Sequence, residues 1–298
     1  LFDYGYEIEC TKTERIKKDG TKEIITSNWY YNHEFDDSEL RMMIDSILFS
    51  KTIPAGQASE LIKKIAGLSN IYFTNKMTHV SSLPGLEHTS NQQTLYNVGL
   101  IDDAISEKKQ ISFVYNNYWE DKKLHPRREE PYIVNPYQMV ANDGKYYLVC
   151  NYDKYDTLSN YRVDKMTQVK IINKPAKKRD KVKGMEHGLN LPKHMAEHIY
   201  MFADEPVTII LRVKKSAISD IVDWFGSNFD VVDESIARQY DGFRETTDAV
   251  TYVRLVCSRQ AMSHWAMQYG TSVEVIYPTE LRTQIGEAVK EMNNRYND

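Results

Sequence analysis

Between residues 125 and 165 the chain sets His125, Arg127 and Arg128 ahead of Pro131, Lys145 and Tyr147 in the stretch KYYLVC, and Arg162 and Lys165 in YRVDK. Guanidinium groups fork onto phosphate or carboxylate oxygens, ammonium groups act as point charges, and tyrosine rings offer flat faces on which bases stack. A cationic groove with aromatic platforms is how single-stranded nucleic acid is held with little regard to sequence, at about 1–3 kcal/mol per stacked base. The charge distribution points the same way. Residues 108–183 carry 17 Lys and Arg against 9 Asp and Glu, with nine of the 21 tyrosines, in a chain whose net charge is −4. A basic, tyrosine-rich block between two acidic flanks suits an anionic partner. Solvated cations and tyrosines buried in a β core would give the same counts, so the elements that carry these residues have to decide.

Those elements are short strands. Ile111, Phe113 and Tyr115 alternate with polar or smaller residues as a half-buried strand does. EEPYIVNPYQMVANDGKYYLVCNY reads as two strands punctuated by Pro131, Pro136 and an Asn142-Asp143-Gly144 turn, and SNYRVDKMTQVKII supplies a further pair. Several strands with no helix between them predict a small β-barrel. In Lys145–Cys150 the period of two puts Tyr146, Leu148 and Cys150 on one face and Lys145, Tyr147 and Val149 on the other. Tyr146 and Leu148 are therefore expected in the core, and Tyr147 and Arg162 toward a ligand. Arg162 and Lys165 are three apart, so both reach one groove only if the strand ends or bends between them.

Around this block the pattern is mixed. Residues 6–32 predict a hairpin with a basic loop of Arg15, Lys17 and Lys18. DDSELRMMIDSILFS predicts a capped helix carrying Leu40, Met43, Ile44 and Ile47 on one face, and two more helices follow over Ala55–Leu68 and Gln92–Glu107. KPAKKRDKVKG is a basic linker. The last hundred residues give strand Val207–Val213, helix Lys215–Phe225 with Ile218, Ile221, Val222 and Phe225 inward, strands Phe229–Val232 and Val250–Cys257, helix Ala261–Tyr269, strand Val273–Ile276 and a final helix from Thr279. That order, β-α-β-β-α-β, is the ferredoxin-like one.

Catalysis is not legible. No phosphate-binding loop, dinucleotide fingerprint or nucleophile elbow occurs, and the carboxylates form no acid–base pair. His187, His194 and His198 lie close in sequence without a third ligand type, so neither a metal nor a cofactor is expected. No apolar run reaches the roughly 18 residues of a membrane helix. Three scattered cysteines, Cys10, Cys150 and Cys257, make no disulfide framework and fit a reducing, cytoplasmic compartment.

The segments ISFVY, HPRREEPYIVNPYQMVANDGKYYLVC and NYRVDKM together resemble the WYL domain of bacterial transcriptional regulators. Its Trp-Tyr-Leu triplet stands here as Tyr146-Tyr147-Leu148, and its Phe-Arg-x-x-Arg segment as Tyr161-Arg162-Val163-Asp164-Lys165. WFGSNFDVV and HWAMQYGTSVEVIYPTELRTQI are similar to the C-terminal extension of that family, WCX. The resemblance implies an α+β chain: an Sm/SH3-like β-barrel, a helical linker domain before it, and a ferredoxin-like domain after it. It places wing and exit strands of a winged helix in residues 1–35, the helical linker in 36–107, the WYL barrel in 108–175, a second linker in 176–203 and WCX in 204–298. It further implies that the recognition helix precedes Leu1, that the protein is a homodimer binding operator DNA, and that the barrel senses a nucleic-acid or nucleotide effector. Carried onto this chain, the pocket is Tyr115, His125, Arg127, Tyr147, Arg162 and Lys165, and Arg162→Ala is expected to weaken ligand binding with the fold intact. A dimerisation module that binds nothing, or a nucleotide-processing enzyme, are the other classes left open.

Overall fold

A computed structural model of the chain describes residues 8–31, 33–69, 73, 89–186, 188–240, 242–245, 247 and 249–297. It divides into two compact units, residues 1–95 with 143–145, and residues 96–142 with 146–298.

In the first unit, β1 (Ile8–Ile16) and β2 (Lys22–Tyr31) form an antiparallel ribbon. Its turn is built by Gly20 at φ 84°, a conformation that favours glycine, and by Asp19, whose carboxylate accepts the N–H of Thr21 at 3.0 Å. Two helices follow, α1 (Asp37–Phe49) and α2 (Ala55–Ala66). Asp36 caps α1 in a reciprocal box: its carboxylate accepts from the N–H of Glu39 at 2.9 Å, and the Glu39 carboxylate accepts from the N–H of Asp36 at 2.9 Å. Leu40, Ile44, Ala66 and Phe73 make the small core between them. The helix expected over Ala55–Leu68 ends at Ala66, and Leu68 falls beyond it and is exposed.

The second unit begins with α3 (Thr94–Ser106) and a sheet of β3 (Lys109–Tyr118), β4 (Leu124–Pro126), β5 (Tyr132–Asn142), β6 (Lys145–Asn151), β7 (Leu158–Arg162) and β8 (Met166–Pro175). The order is β4-β3-β5-β6-β7, and β8 returns to pair with β3, which curls the sheet into a half-barrel. Phe113, Leu148, Cys150, Val163 and Met166 fill it, and α3 closes it with Ile101 and Ala104, all but fully buried. Helix α3, which reads in sequence as part of the linker, is thus packed into the barrel core. Tyr146 is a correction. It shares a face with Leu148 but sits one pair nearer the hairpin tip, outside the packed interior, and is 38% exposed.

After a short helix α4 (Leu191–Glu197), the C-terminal domain runs β9 (Pro206–Lys214), α5 (Ile218–Phe225), β10 (Phe229–Val232), α6 (Glu234–Ala237), β11 (Val250–Ser258), α7 (Arg259–Gln268), β12 (Val273–Tyr277) and α8 (Thr279–Asn297). Its antiparallel sheet, ordered β10-β11-β9-β12, is the ferredoxin-like arrangement. α5 and α7 cover one face with Ile221, Phe225, Met262 and Trp265. Val222 lies at the margin of the α5 stripe and is half exposed, not inward. Among the described residues no helix is long and apolar enough to cross a membrane.

Candidate functional site

The register of β3 and β4 organises the predicted residues. Asn116 faces Pro126 and Asn117 faces His125, and the N–H of Arg127 donates to the carbonyl of Tyr115 at 2.8 Å. Because side chains alternate along a strand, Tyr115, Asn117, His125 and Arg127 share one side of this ribbon. Trp119 continues the same row. It is 62% exposed and stacks on the His125 ring, with centroids 4.3 Å apart and planes 15° from parallel. His125 Nε2 is 2.9 Å from the Asp121 carboxylate. That carboxyl is held below its usual range, first by the N–H of Lys123 and then by His125.

The YRVDK segment meets the geometric condition set by its spacing. β7 ends at Arg162, a 3-10 turn spans Val163–Lys165, and β8 starts at Met166. The bend lets Lys165 Nζ approach Asn117 Oδ1 at 3.5 Å, while the N–H of Arg162 points to the Tyr115 hydroxyl at 3.4 Å. Tyr147 is the cross-strand partner of Arg162. It is half-buried and packs beside Val140, Val149 and Met201, so part of its ring belongs to a core cluster. Asn117 thus joins Lys165 to its own cross-strand neighbour His125, and Tyr115 meets the backbone N–H groups of both Arg162 and Arg127.

Arg162 has a second role that its sequence does not advertise. Its guanidinium grips Asp164 in a fork, Nε to Oδ1 at 3.0 Å and NH2 to Oδ2 at 2.6 Å, and that carboxylate is 1% exposed. Burial works against the charge of Arg162, but the Asp164 carboxylate outweighs it and raises the pKa. Beneath the site lies an aromatic cluster. Phe113 stacks on Tyr132 at 5.5 Å, Tyr161 meets Tyr115 edge-on at 4.9 Å, and the Tyr152 and Tyr161 hydroxyls bond each other. Burial pushes the Tyr115 phenol up to about 12, so it is a neutral hydrogen-bonding group at ordinary pH.

Two predicted residues go elsewhere. Arg128 folds back over the Tyr132 ring at 3.6 Å and donates to the carbonyls of Glu130 and Pro131, which makes it a cap on the aromatic cluster. Lys145 turns to Asp143 at 3.0 Å, which Lys51 also meets at 3.3 Å. Sequence reasoning missed Trp119, Asn117 and Asp164. The alternation Tyr115-x-Asn117-x-Trp119 was the available signal for the first two.

Chemically the arrangement offers cations for oxyanions, a stacked Trp–His platform for a planar ring and an amide for hydrogen bonds. Among the described residues no group of three His, Cys, Asp or Glu could hold a metal. The His194 and His198 rings lie 4.5 Å apart, tilted by 41°, in a buried setting; burial and then His198 push His194 down to about 4. His187 lies outside the described residues.

Comparison with known proteins identifies two domains. Residues 97–171 match the family model described as WYL domain, and residues 205–292 the one described as WCX domain. No curated protein matches the chain. Among solved structures, Proteasome accessory factor B/C (PafBC) of Arthrobacter aurescens aligns with 94% of the chain at 13% identity and a TM-score of 0.31, and the chain spans 39% of its length. A CRISPR Cas-related protein aligns with 88% at 13% identity and a TM-score of 0.42, over 71% of its own length.

Proposed function

The chain belongs to the WYL-domain family that joins a WYL domain to a WCX domain, and from that premise we propose that it is a ligand-responsive transcriptional regulator of the cytoplasm. Its effector is a single-stranded nucleic acid or a nucleotide, bound on the β3–β4 side of the barrel. Phosphate oxygens meet Arg127, Lys165 and the exposed part of Arg162; a base stacks on Trp119 and His125; Asn117 and the neutral Tyr115 hydroxyl supply hydrogen bonds. The observation that carries this reading is the bend at Val163–Lys165, which turns Lys165 toward the row occupied by Tyr115, Asn117, His125 and Arg127. Free thiols at Cys10, Cys150 and Cys257 support the reducing compartment.

Regulation follows by population shift: the effector favours one arrangement of a homodimer whose winged-helix heads bind paired operator half-sites, and it moves that equilibrium only by its differential affinity. Fluorescence anisotropy with a labelled single-stranded oligodeoxythymidine tests the effector assignment. Trp119→Ala is expected to weaken binding by the stacking contribution, about 1–3 kcal/mol, or roughly 5- to 150-fold. Equal affinity of the parent and this variant, or no binding by the parent at low salt, overturns it. A product assay with nucleotides should meanwhile detect no turnover.

A further inference from the structure

At the open edge of the C-terminal sheet, positive charge outnumbers its partners. Arg212 on β9 and Glu274 on the edge strand β12 are cross-strand neighbours. Three arginines converge on this one carboxylate: Arg282 at 2.9 Å, Arg244 at 3.7 Å and Arg212 at 3.8 Å. Arg282 alone is within hydrogen-bond distance, and it is fixed twice more. It donates to the carbonyl of Val275 at 2.8 Å, and Gly242 lies flat on it, since a Cβ there would come within 2.9 Å of the guanidinium carbon. Arg212 is left over. Its side chain is 23% exposed, its nearest carboxylate stands beyond hydrogen-bond distance, and its Nε is buried without an acceptor. That Nε is closed to solvent, so a ligand meets Arg212 at the exposed part of its side chain, and a guanidinium prefers a carboxylate or phosphate oxygen.

The same cations close one end of a groove of about 640 Å³. Among the described residues, Arg212, Lys214 and Arg282 line it with the carboxylate of Glu274. The rest of the wall is largely apolar, with Met267 of α7 and Val289 and Met292 of α8 left 36%, 53% and 43% exposed. Large apolar side chains in solvent beside a surplus of cations mark a receptor with two halves, and methionines adapt to a flexible hydrocarbon.

We propose that this groove binds a small anionic amphiphile, its carboxylate on Arg212 and its hydrocarbon chain along α8. Glu274 is the internal competitor for the cations. A neutral apolar molecule would leave the exposed part of Arg212 unanswered, and a small hydrophilic anion would leave the methionines in water. This site is separate from the barrel, and its test does not depend on the effector reading.

The test is calorimetric titration of the full chain with octanoate, 1-octanol and acetate. Octanoate should bind, with the alcohol and acetate at least about tenfold weaker, the scale of one charge-assisted contact. Glu274→Gln removes the competitor and should tighten octanoate by about tenfold; Arg212→Gln should weaken it by a similar factor. Thermal unfolding should show Glu274→Gln stabilised by octanoate more than the parent is. Octanol binding as well as octanoate, octanoate failing to saturate at millimolar concentration, or Glu274→Gln binding no tighter would each overturn the proposal. Should Arg212→Gln fail to fold, the Glu274 variant decides alone.

Discussion

Replacing Arg162 by alanine should cost stability before it costs binding. The substitution deletes bonds of 3.0 and 2.6 Å to a carboxylate that is 1% exposed. Removing one partner of a buried pair costs about 3–5 kcal/mol. Asp164 keeps a further contact, and Arg162 leaves 26% of its side chain in solvent, so the low end applies, about 3 kcal/mol. For a unit of this size that lowers Tm by roughly 6–12 °C. Urea unfolding followed by circular dichroism, parent against variant at pH 7.5, measures it. Asp164→Asn in the same chain should recover most of the loss. A deficit under about 0.5 kcal/mol, the range of an ordinary surface change, or no recovery in the Asp164→Asn double variant, would overturn this assignment.

Other outcomes follow from single side chains. Burial, and then the neighbouring His198, hold His194 at about 4, so it stays neutral in the folded chain while the unfolded chain takes up a proton near 6.5. Stability should therefore be full above about 6.5 and fall by on the order of 3 kcal/mol as pH drops to 4, and His194→Gln should flatten that slope in urea titrations. Leu148→Ala, at a site with no exposure, should cost about 2–5 kcal/mol in the same assay. Asp36→Ala removes a capping box and should lose about 1 kcal/mol, seen as reduced helicity on heating. Lys145→Ala should leave oligonucleotide affinity within twofold of the parent, because its ammonium is engaged by Asp143.

Much of the architecture was legible because period and punctuation agree. The capped helix at Asp37, the Asn142–Gly144 turn and the β-α-β-β-α-β order are local signals that tertiary contacts reinforce. The site was legible only in part. Alternation places Tyr115, His125 and Arg127 on one side once the strand register is fixed, but register is a long-range property that no local pattern states. Arg128 shows the limit. It lies past the end of β4, where strand alternation no longer applies, and the bend lays its guanidinium over Tyr132. Asp164 reads as one more surface acid, because nothing in YRVDK shows that the 3-10 turn buries it. Tyr146 fails for the opposite reason: its periodicity is right, and the packed interior stops one pair short of it.

The central claim is that Arg127 and Lys165 meet the same phosphate-bearing ligand. The salt dependence of oligodeoxythymidine affinity tests it most directly, because each phosphate contact on a single strand contributes about 0.7 to the slope of log K against log salt. Changing both residues to glutamine should reduce the magnitude of that slope by about 1.4 and lower affinity at every salt concentration. A slope unchanged from the parent, with affinity unaltered, would contradict the account.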